Sequence, residues 1–364
     1  MPLSNFKPSA YREQLELKVE QLRPAFTALG APEAEIFSSS ESHYRMRAEF
    51  RIQHIDDEPQ YVMFRKGGDR KAVVIDDFPV ACEPIAQLMQ PLRSALSASE
   101  TLKHRLFQAE FLSGLSGEVL VSLIYHRPLD ENWEREARAL MEEFSIGIVG
   151  RSRKQRLVLS KPYITEKLQA DGERFTFRHY ENSFTQPNAG VNEKMISWAC
   201  RQIQQASDDL LELYCGCGNF TLPLSRYFNK VLATEVSKTS TQAARENCEL
   251  NAIHNVEFAR LSAEEISQAL QGVRPFRRLS HLELSDYSLN TVFVDPPRAG
   301  LDDFSRQFVG GFERILYISC NPDTLLRDLT HLCQNHRISS LAFFDQFPYT
   351  SHMECGVYLE KKPV

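Results

Sequence analysis

Cys320 sits where a cysteine can act as a nucleophile. It follows the apolar run Ile315–Ser319 and precedes the turn pair Asn321-Pro322, after which Asp323–Leu332 reads as a helix. A thiol at a strand end, facing a helix N-terminus, is helped to ionise by the helix dipole. A second apolar run ends in Val294-Asp295-Pro296-Pro297-Arg298, where two prolines stiffen the turn that carries the acid and the arginine. A third segment, Phe347 to Gly356, offers His352 and Glu354 at the mouth of the final run. A thiolate with a nearby carboxylate is the equipment for adding to an electron-poor double bond and later withdrawing a proton from the adduct. Carbon 5 of uracil needs this sequence of events. It becomes nucleophilic only after a thiolate adds at carbon 6, and its proton must leave once it has taken an electrophile. Read alone, Cys320 could equally be a packed core cysteine, and His352 with Glu354 a polar loop. Cys215 and Cys217 are weaker nucleophile candidates, because their loop needs small residues, and Cys355 at the start of the last run reads as packing.

The run Leu210–Tyr214 leads into Cys215-Gly216-Cys217-Gly218-Asn219-Phe220 and then a helix over Thr221–Tyr227. Glycines let the backbone approach a ligand closely, and the helix that follows offers free N–H groups. The next run ends at Glu235, where a carboxylate can accept hydrogen bonds from both hydroxyls of a ribose. A dinucleotide fingerprint would place a third glycine where Thr221 stands, and the loop is poor in polar groups for a pyrophosphate. A cofactor with a ribose and no phosphate, such as S-adenosylmethionine, suits it better. An ordinary strand–helix turn is the plain alternative.

These motifs need a scaffold that brings distant segments together. After about residue 180 a helix over Glu193–Gln205 opens an alternation of helical stretches with seven apolar runs: Leu210–Tyr214, Lys230–Thr234, Val256–Leu261, Thr291–Val294, Ile315–Ser319, Ile338–Phe344 and Gly356–Leu359. Such alternation predicts an α/β sheet covered on both faces. The last two runs lack a helix between them and suit a terminal hairpin. Ligands of open α/β sheets bind at the carboxyl ends of the strands, so Tyr214, Glu235, Asp295 and Cys320 should face one crevice. Upstream, residues 9–29, Pro84–Leu96 and Glu131–Phe144 have helical spacing. Tyr44–Ile52, Tyr61–Arg65, Ala72–Asp76 and Val119–Tyr125 read as strands, with a hairpin from Ile146–Val149 and Arg156–Leu159. The expected organisation is an α+β domain over 1–175 and an α/β domain over 176–364.

Composition is compatible with this plan. The 364 residues suffice for two domains, and 42% hydrophobic with 25% charged residues is ordinary for a globular protein. No apolar run approaches membrane-helix length, and MPLSNFKPSAYREQ lacks the basic and apolar regions of a signal peptide. A cytoplasmic protein with no membrane partner is expected. Of eight cysteines only Cys82 lies in the first half, and there is no pair of CxxC motifs. Neither a disulfide framework nor a metal or iron–sulfur site is therefore expected. The net charge of −6 argues against nucleic acid. Yet Arg151, Arg153, Lys154, Arg156 and Lys161 form a stretch without an acid, and His43–Arg51 interleaves cations with aromatics. Such local faces can bind phosphates on an acidic protein; two solvated strand faces are the bland alternative.

Taken together, the segments resemble the tRNA (uracil-5-)-methyltransferase family, in its tRNA T-loop branch. ENSFTQPN (181–188), LLELYCGCGNF (210–220), VLATE (231–235), FVDPPRAGLD (293–302), YISCNP (317–322) and FDQFPYTSHMECGV (344–357) match its motifs. HYRMRAEFRI (43–52) and FPVACEPI (78–85) match its N-terminal region, so the resemblance covers essentially the whole chain. It implies a Rossmann-like, class I S-adenosylmethionine methyltransferase domain with a mixed seven-stranded sheet, preceded by an α+β RNA-binding domain. It also implies methyl transfer to carbon 5 of the T-loop uridine at tRNA position 54, giving 5-methyluridine, with the T-loop-like arm of tmRNA as a further substrate. By the same resemblance Cys320 is the nucleophile and Glu354 the proton acceptor. Gln186, Tyr214, Asn219, Glu235 and Asp295 contact the cofactor, and Asp295 is also a candidate for the uracil edge. Arg298 steadies the base or its phosphate, and Arg51 and Phe107 contact or stack on the RNA loop. The enzyme is expected to act as a monomer. Two departures stand out: Cys217 occupies a loop position where the family commonly has Asn, and the chain lacks the extra β-barrel and cysteine cluster of relatives acting on ribosomal RNA.

Three rivals are weaker. Enzymes making 5-methylcytosine place their cysteine in a Pro-Cys motif, which the Asp-Pro-Pro-Arg turn lacks. In an amino-group methyltransferase an aromatic would stand at Arg298, and Cys320 would have no task. An RNA-binding or RNA-folding module with a decayed enzyme domain would not be expected to keep Cys320, Glu354 and Glu235 together.

Overall fold

The computed structural model describes residues 5–64, 72–204 and 208–363. Arg65 and Gln205, expected to end a strand and a helix, lie outside these residues. Two compact units emerge: Met1–Pro8, Ser40–Lys167 and Arg178–Ala189 form one, and Ser9–Ser39, Leu168–Phe177 and Gly190–Val364 the other.

The second unit carries the motifs. Its eight strands lie in the order Glu35–Phe37, His336–Phe344, Glu354–Lys361, Arg314–Ser319, Leu289–Val294, Asp209–Leu213, Val231–Thr234, Val256–Ala259. Neighbours are parallel except on either side of Glu354–Lys361, which runs antiparallel to both. This is the expected mixed sheet and terminal hairpin, with an eighth strand, Glu35–Phe37, added at one edge. Asp209–Leu213 and Val231–Thr234 are buried at every position, which is why their apolar residues do not alternate with polar ones. Helices start where polar caps permit. Ser237 caps Lys238–Leu250, Ser262 and Glu265 form a capping box on Ala263–Leu270, and Asn321 caps Pro322–Leu332, whose first residue is the proline.

The single boundary expected at 175 needs correction. The helix Tyr11–Ala28 belongs to the second unit. Its Phe26 is buried edge-on against Phe343, with centroids 5.3 Å apart, and its Lys18 pairs with Asp345. The turn of a hairpin formed by Tyr163–Ala170 and Glu173–Tyr180 is also recruited. Thr176 there exchanges backbone hydrogen bonds with the Asn251 side chain at 2.8 and 2.7 Å. Amphipathic spacing identifies a helix but not the sheet it will cover, so sequence proximity is a poor guide to membership.

The first unit is an α+β structure. Its sheet has the order Ala72–Val74, Glu58–Phe64, Arg47–Ile55, Leu106–Ser113, Val119–Tyr125, Gly147–Ser152, Gln155–Val158. All pairs are antiparallel except Val119–Tyr125 with Gly147–Ser152. Phe50, Tyr61, Phe78 and Phe111 form its aromatic core, with Phe50 within 6.0 Å of each of the other three. At Gly150 a Cβ would fall 2.2 Å from the Trp133 ring, so the helix Glu131–Phe144 packs directly on the strand backbone. Among the described residues no helix is long and apolar enough to cross a membrane.

Candidate active site

The register of the second sheet gathers the expected residues. Leu213 is paired with Thr234 on one side and Val294 on the other. The next residue on each of these strands is Tyr214, Glu235 and Asp295, so three functional candidates occupy adjacent strand ends. Ser319 faces Cys355 across the antiparallel pair. Continuing that register by one residue sets Cys320 opposite Glu354. Parallel alternation makes this convergence possible, because every parallel strand ends on the same edge.

The loop after Leu213 is built for close approach. Tyr214, Gly216 and Gly218 all have positive φ, and a Cβ at Gly218 would lie 2.7 Å from Leu222 Cδ1. A Cβ at Gly216 would meet nothing within 4 Å, so its outer face is open. The Gly216 N–H donates to Glu235 Oε2 at 3.1 Å, and the Ser237 N–H donates to Oε1 at 2.8 Å. These bonds fix the Glu235 carboxylate at the rim while leaving lone pairs on both oxygens for hydroxyl donors. Residues 214–220 contain no Lys or Arg. An open glycine, an anchored carboxylate and no cation fit a ribose-bearing cofactor better than a pyrophosphate. Asn219 lies in the same loop, its amide exchanging hydrogen bonds with Asn192 at 2.8 and 2.9 Å.

Electrostatics set the resting protonation. Burial pushes the Asp295 carboxyl up to about 7. Burial, then the neighbouring Asp295, pushes Glu354 up to about 8. Burial, followed by Glu354 and Asp295, pushes the Cys320 thiol up to about 11. Burial, with the two acids beside it, thus opposes the thiolate that the helix N-terminus is expected to favour. A positive charge placed among the three groups would favour ionisation of all of them.

The surrounding turns are tied down. The Arg298 carbonyl accepts hydrogen bonds from Asn321 Nδ2 at 3.1 Å and Thr324 Oγ1 at 3.3 Å, which joins the Asp295 turn to the Cys320 turn. Buried Asp328 accepts from the Leu301 N–H, Arg306 and Tyr317 at 2.7–2.9 Å. The Arg298 side chain is exposed. Cys215, Cys217 and Cys355 are buried, and burial raises each thiol. His352 lies edge-on to Phe347, with ring centroids 5.9 Å apart.

Not every expected residue belongs to this cluster. Gln186 is half-buried and falls in the first unit, so it is not among the residues that the second unit gathers by itself. Within the first unit, Arg51 lies 4.1 Å above the Phe107 ring, which meets His126 edge-on at 4.0 Å. Nothing in the local sequence marks His126 for this place. The basic stretch is less free than its composition suggests. Arg151 and Arg156 flank the buried Glu181 at 3.5 and 2.9 Å, and Lys161 pairs with Glu118 at 2.8 Å. Glu212 also escapes a reading of the sequence. It is 1% exposed, its Oε2 has no hydrogen-bond partner among the described residues, and burial, with Asp295 adding, raises it to about 8. An acid in an otherwise apolar strand is its only signal.

Comparison with known proteins identifies the family. The sequence pattern described as tRNA (Uracil-5-)-methyltransferase matches residues 10–362. A tRNA/tmRNA (uracil-C(5))-methyltransferase of Pseudomonas putida KT2440 is 53% identical over 98% of this chain and 99% of its own length. One of the same name from Acinetobacter baylyi is 52% identical over 96% of this chain and 98% of its own. Among solved structures, Pyrococcus abyssi tRNA (uracil-54, C5)-methyltransferase in complex with S-adenosyl-L-homocysteine aligns with a TM-score of 0.72, at 24% identity, over 96% of this chain and 83% of that one, which supports the Rossmann-like methyltransferase fold. A pattern match and full-length relatives at this identity leave one conclusion: the chain belongs to the tRNA (uracil-5-)-methyltransferase family.

Proposed function

We propose that this protein transfers a methyl group from S-adenosylmethionine to carbon 5 of the T-loop uridine of tRNA, and of the T-loop-like arm of tmRNA, through a covalent Cys320 adduct. The observation that carries the reading is the register that sets Cys320 opposite Glu354 and one strand away from Asp295, whose own strand neighbours the one leading into the glycine loop. S-adenosylmethionine, held by Tyr214, Asn219, Glu235 and Asp295, would supply an electrophilic methyl group. Cys320 Sγ gives up its proton to solvent and adds to uracil C6, and the ring electrons move toward O4. Carbon 5, now nucleophilic, would take the methyl group as the sulfonium S–CH3 bond breaks, leaving S-adenosylhomocysteine. Glu354 accepts the C5 proton, the C5–H electron pair re-forms the C5=C6 bond, and the C6–S bond breaks to return the Cys320 thiolate. The buried setting of Glu354 excludes water that would compete for that proton. Arg298, exposed on the turn beside Asp295, holds the base or its phosphate. Arg51 and Phe107 form a cation-over-ring platform on which loop nucleotides can stack, offsetting part of the expense of extruding the uridine. The test is mass spectrometry of T-arm RNA incubated with the protein and methyl-labelled S-adenosylmethionine. 5-Methyluridine at the target position, absent with Cys320→Ala, supports the reading. Methylation at another atom or base refutes it.

A further inference from the structure

The loop that delivers Glu354 runs from Asp345 to Met353, and it is held from the N-terminal helix Tyr11–Ala28. Lys18, on that helix, is 6% exposed, and its ammonium has three acceptors: Asp345 Oδ1, the Phe347 carbonyl at 3.3 Å and the His352 carbonyl at 3.1 Å. An ammonium has three N–H donors, so this one is fully used, and all three acceptors lie on one loop. One turn earlier, the Gln14 side chain donates to the Thr350 carbonyl and accepts from the Tyr349 N–H, both at 3.2 Å. The Tyr11 ring meets Tyr349 edge-on at 5.8 Å. Tyr349 itself has φ +62, a conformation that non-glycine residues rarely adopt without support.

Burying a lysine and an aspartate is a poor way to gain stability, since an apolar pair of similar volume often serves as well. A tripod of directional bonds, in contrast, fixes geometry. Its feet stand at Asp345, Phe347 and His352, and the last is two residues from Glu354. We propose that Lys18 is a positioning residue for the proton-abstraction step, pinning the 345–353 loop so that the Glu354 carboxyl meets the C5 proton of the methylated adduct. The proposal rests on the reading of Glu354 as proton acceptor. Lys18 touches neither substrate nor cofactor; it acts only through the loop. Loss of the tripod should slow the step in which the C5–H bond breaks, C5=C6 re-forms and Cys320 leaves, while the earlier addition and methyl transfer proceed. A merely stabilising residue would reduce all steps together.

The experiment uses the full chain with unmodified T-arm RNA and S-adenosylmethionine, following turnover and the covalent protein–RNA band on denaturing gels for Lys18→Met, Gln14→Ala and Glu354→Gln. Lys18→Met is expected to lower kcat roughly tenfold to a hundredfold, leave KM for RNA nearly unchanged, and accumulate the adduct on natural uridine, as Glu354→Gln does. Gln14→Ala, a milder change at a half-buried position, should shift both readouts in the same direction by less. Adduct with Glu354→Gln but none with a folded Lys18→Met overturns the positioning role and leaves Glu354 intact. If Lys18→Met does not fold, a Gln14→Ala variant with wild-type turnover and no adduct overturns it instead. No adduct with Glu354→Gln refutes the reading of Glu354, and this proposal with it.

Discussion

Replacing Glu212 by glutamine separates the effect of a buried charge from that of shape. Glu212 is 1% exposed and its carboxyl is raised from 4.5 to about 8 by burial, with Asp295 adding. The folded protein therefore keeps the proton up to about pH 8, while the unfolded chain releases it near 4.5. Between these values the folded state binds more protons, so stability falls as pH rises. A tenfold change in proton affinity corresponds to about 1.4 kcal/mol, and linkage through both titrations gives a penalty that grows by about 4 kcal/mol from pH 5 to pH 9. Glutamine keeps the shape and carries no such dependence. For a unit of this size about 1 kcal/mol moves Tm by roughly 2–4 °C. The Tm of Glu212→Gln should thus be close to wild type at pH 5 and exceed it by roughly 10 °C at pH 9. Differential scanning calorimetry across this range, without ligand, provides the measurement. A difference between the two proteins that stays constant with pH would refute the claim that a buried, ionisable carboxyl lies in the strand that leads into the cofactor loop.

Other substitutions probe the remaining parts. Gly218→Ala forces a side chain into φ +87 and against Leu222. It should lower stability by about 1–3 kcal/mol in denaturant titration and weaken cofactor binding by calorimetry. Glu235→Ala removes the anchored acceptor and should raise the cofactor Kd roughly tenfold to a hundredfold by calorimetry, while the loss of its bonds to the Gly216 and Ser237 N–H groups lowers stability by about 1–3 kcal/mol. Arg51→Ala should weaken T-arm binding and reduce the salt slope of log K by about 1; unchanged binding at two salt concentrations would remove Arg51 from the RNA surface. Because Glu354 must be unprotonated to accept the C5 proton and Cys320 must lose its own, with the two held at about 8 and about 11, the pH profile of kcat for RNA should rise throughout pH 6 to 9. It should begin to rise at lower pH when the cationic cofactor is saturating. A flat profile from pH 6 to 9 under both conditions would exclude titration of Glu354 in turnover.

Local signals make the catalytic strands legible. Mostly apolar runs such as Leu210–Leu213 read as strands buried on both faces, and a cysteine or acid placed just beyond each run has to reach the same edge of a parallel sheet. Cys320, Asp295 and Glu235 are recognisable for that reason, whereas Glu354 opens the antiparallel last strand and meets that edge from its other end. Features set by partners distant in sequence are not legible. The edge strand Glu35–Phe37 has three residues, too few for a period to register. Lys18 reads as one more charge on an amphipathic helix until Asp345 appears beside it. Leu106–Ser113, rich in buried residues yet interrupted by Gln108 and Glu110, hides a central strand. The setting of Cys320 eludes the sequence because a helix N-terminus is visible there, whereas the burial and the two carboxyls that oppose ionisation are not.

The central claim is a covalent bond between Cys320 and uracil C6, and trapping that bond tests it most directly. T-arm RNA carrying 5-fluorouridine at the target position, incubated with the protein and S-adenosylmethionine, presents Glu354 with a fluorine that cannot leave as a proton. The expected result is a stable protein–RNA band on a denaturing gel that requires the cofactor and vanishes in Cys320→Ala. A protein that binds both RNA and cofactor yet gives no band, or a band that persists in Cys320→Ala, would contradict the account.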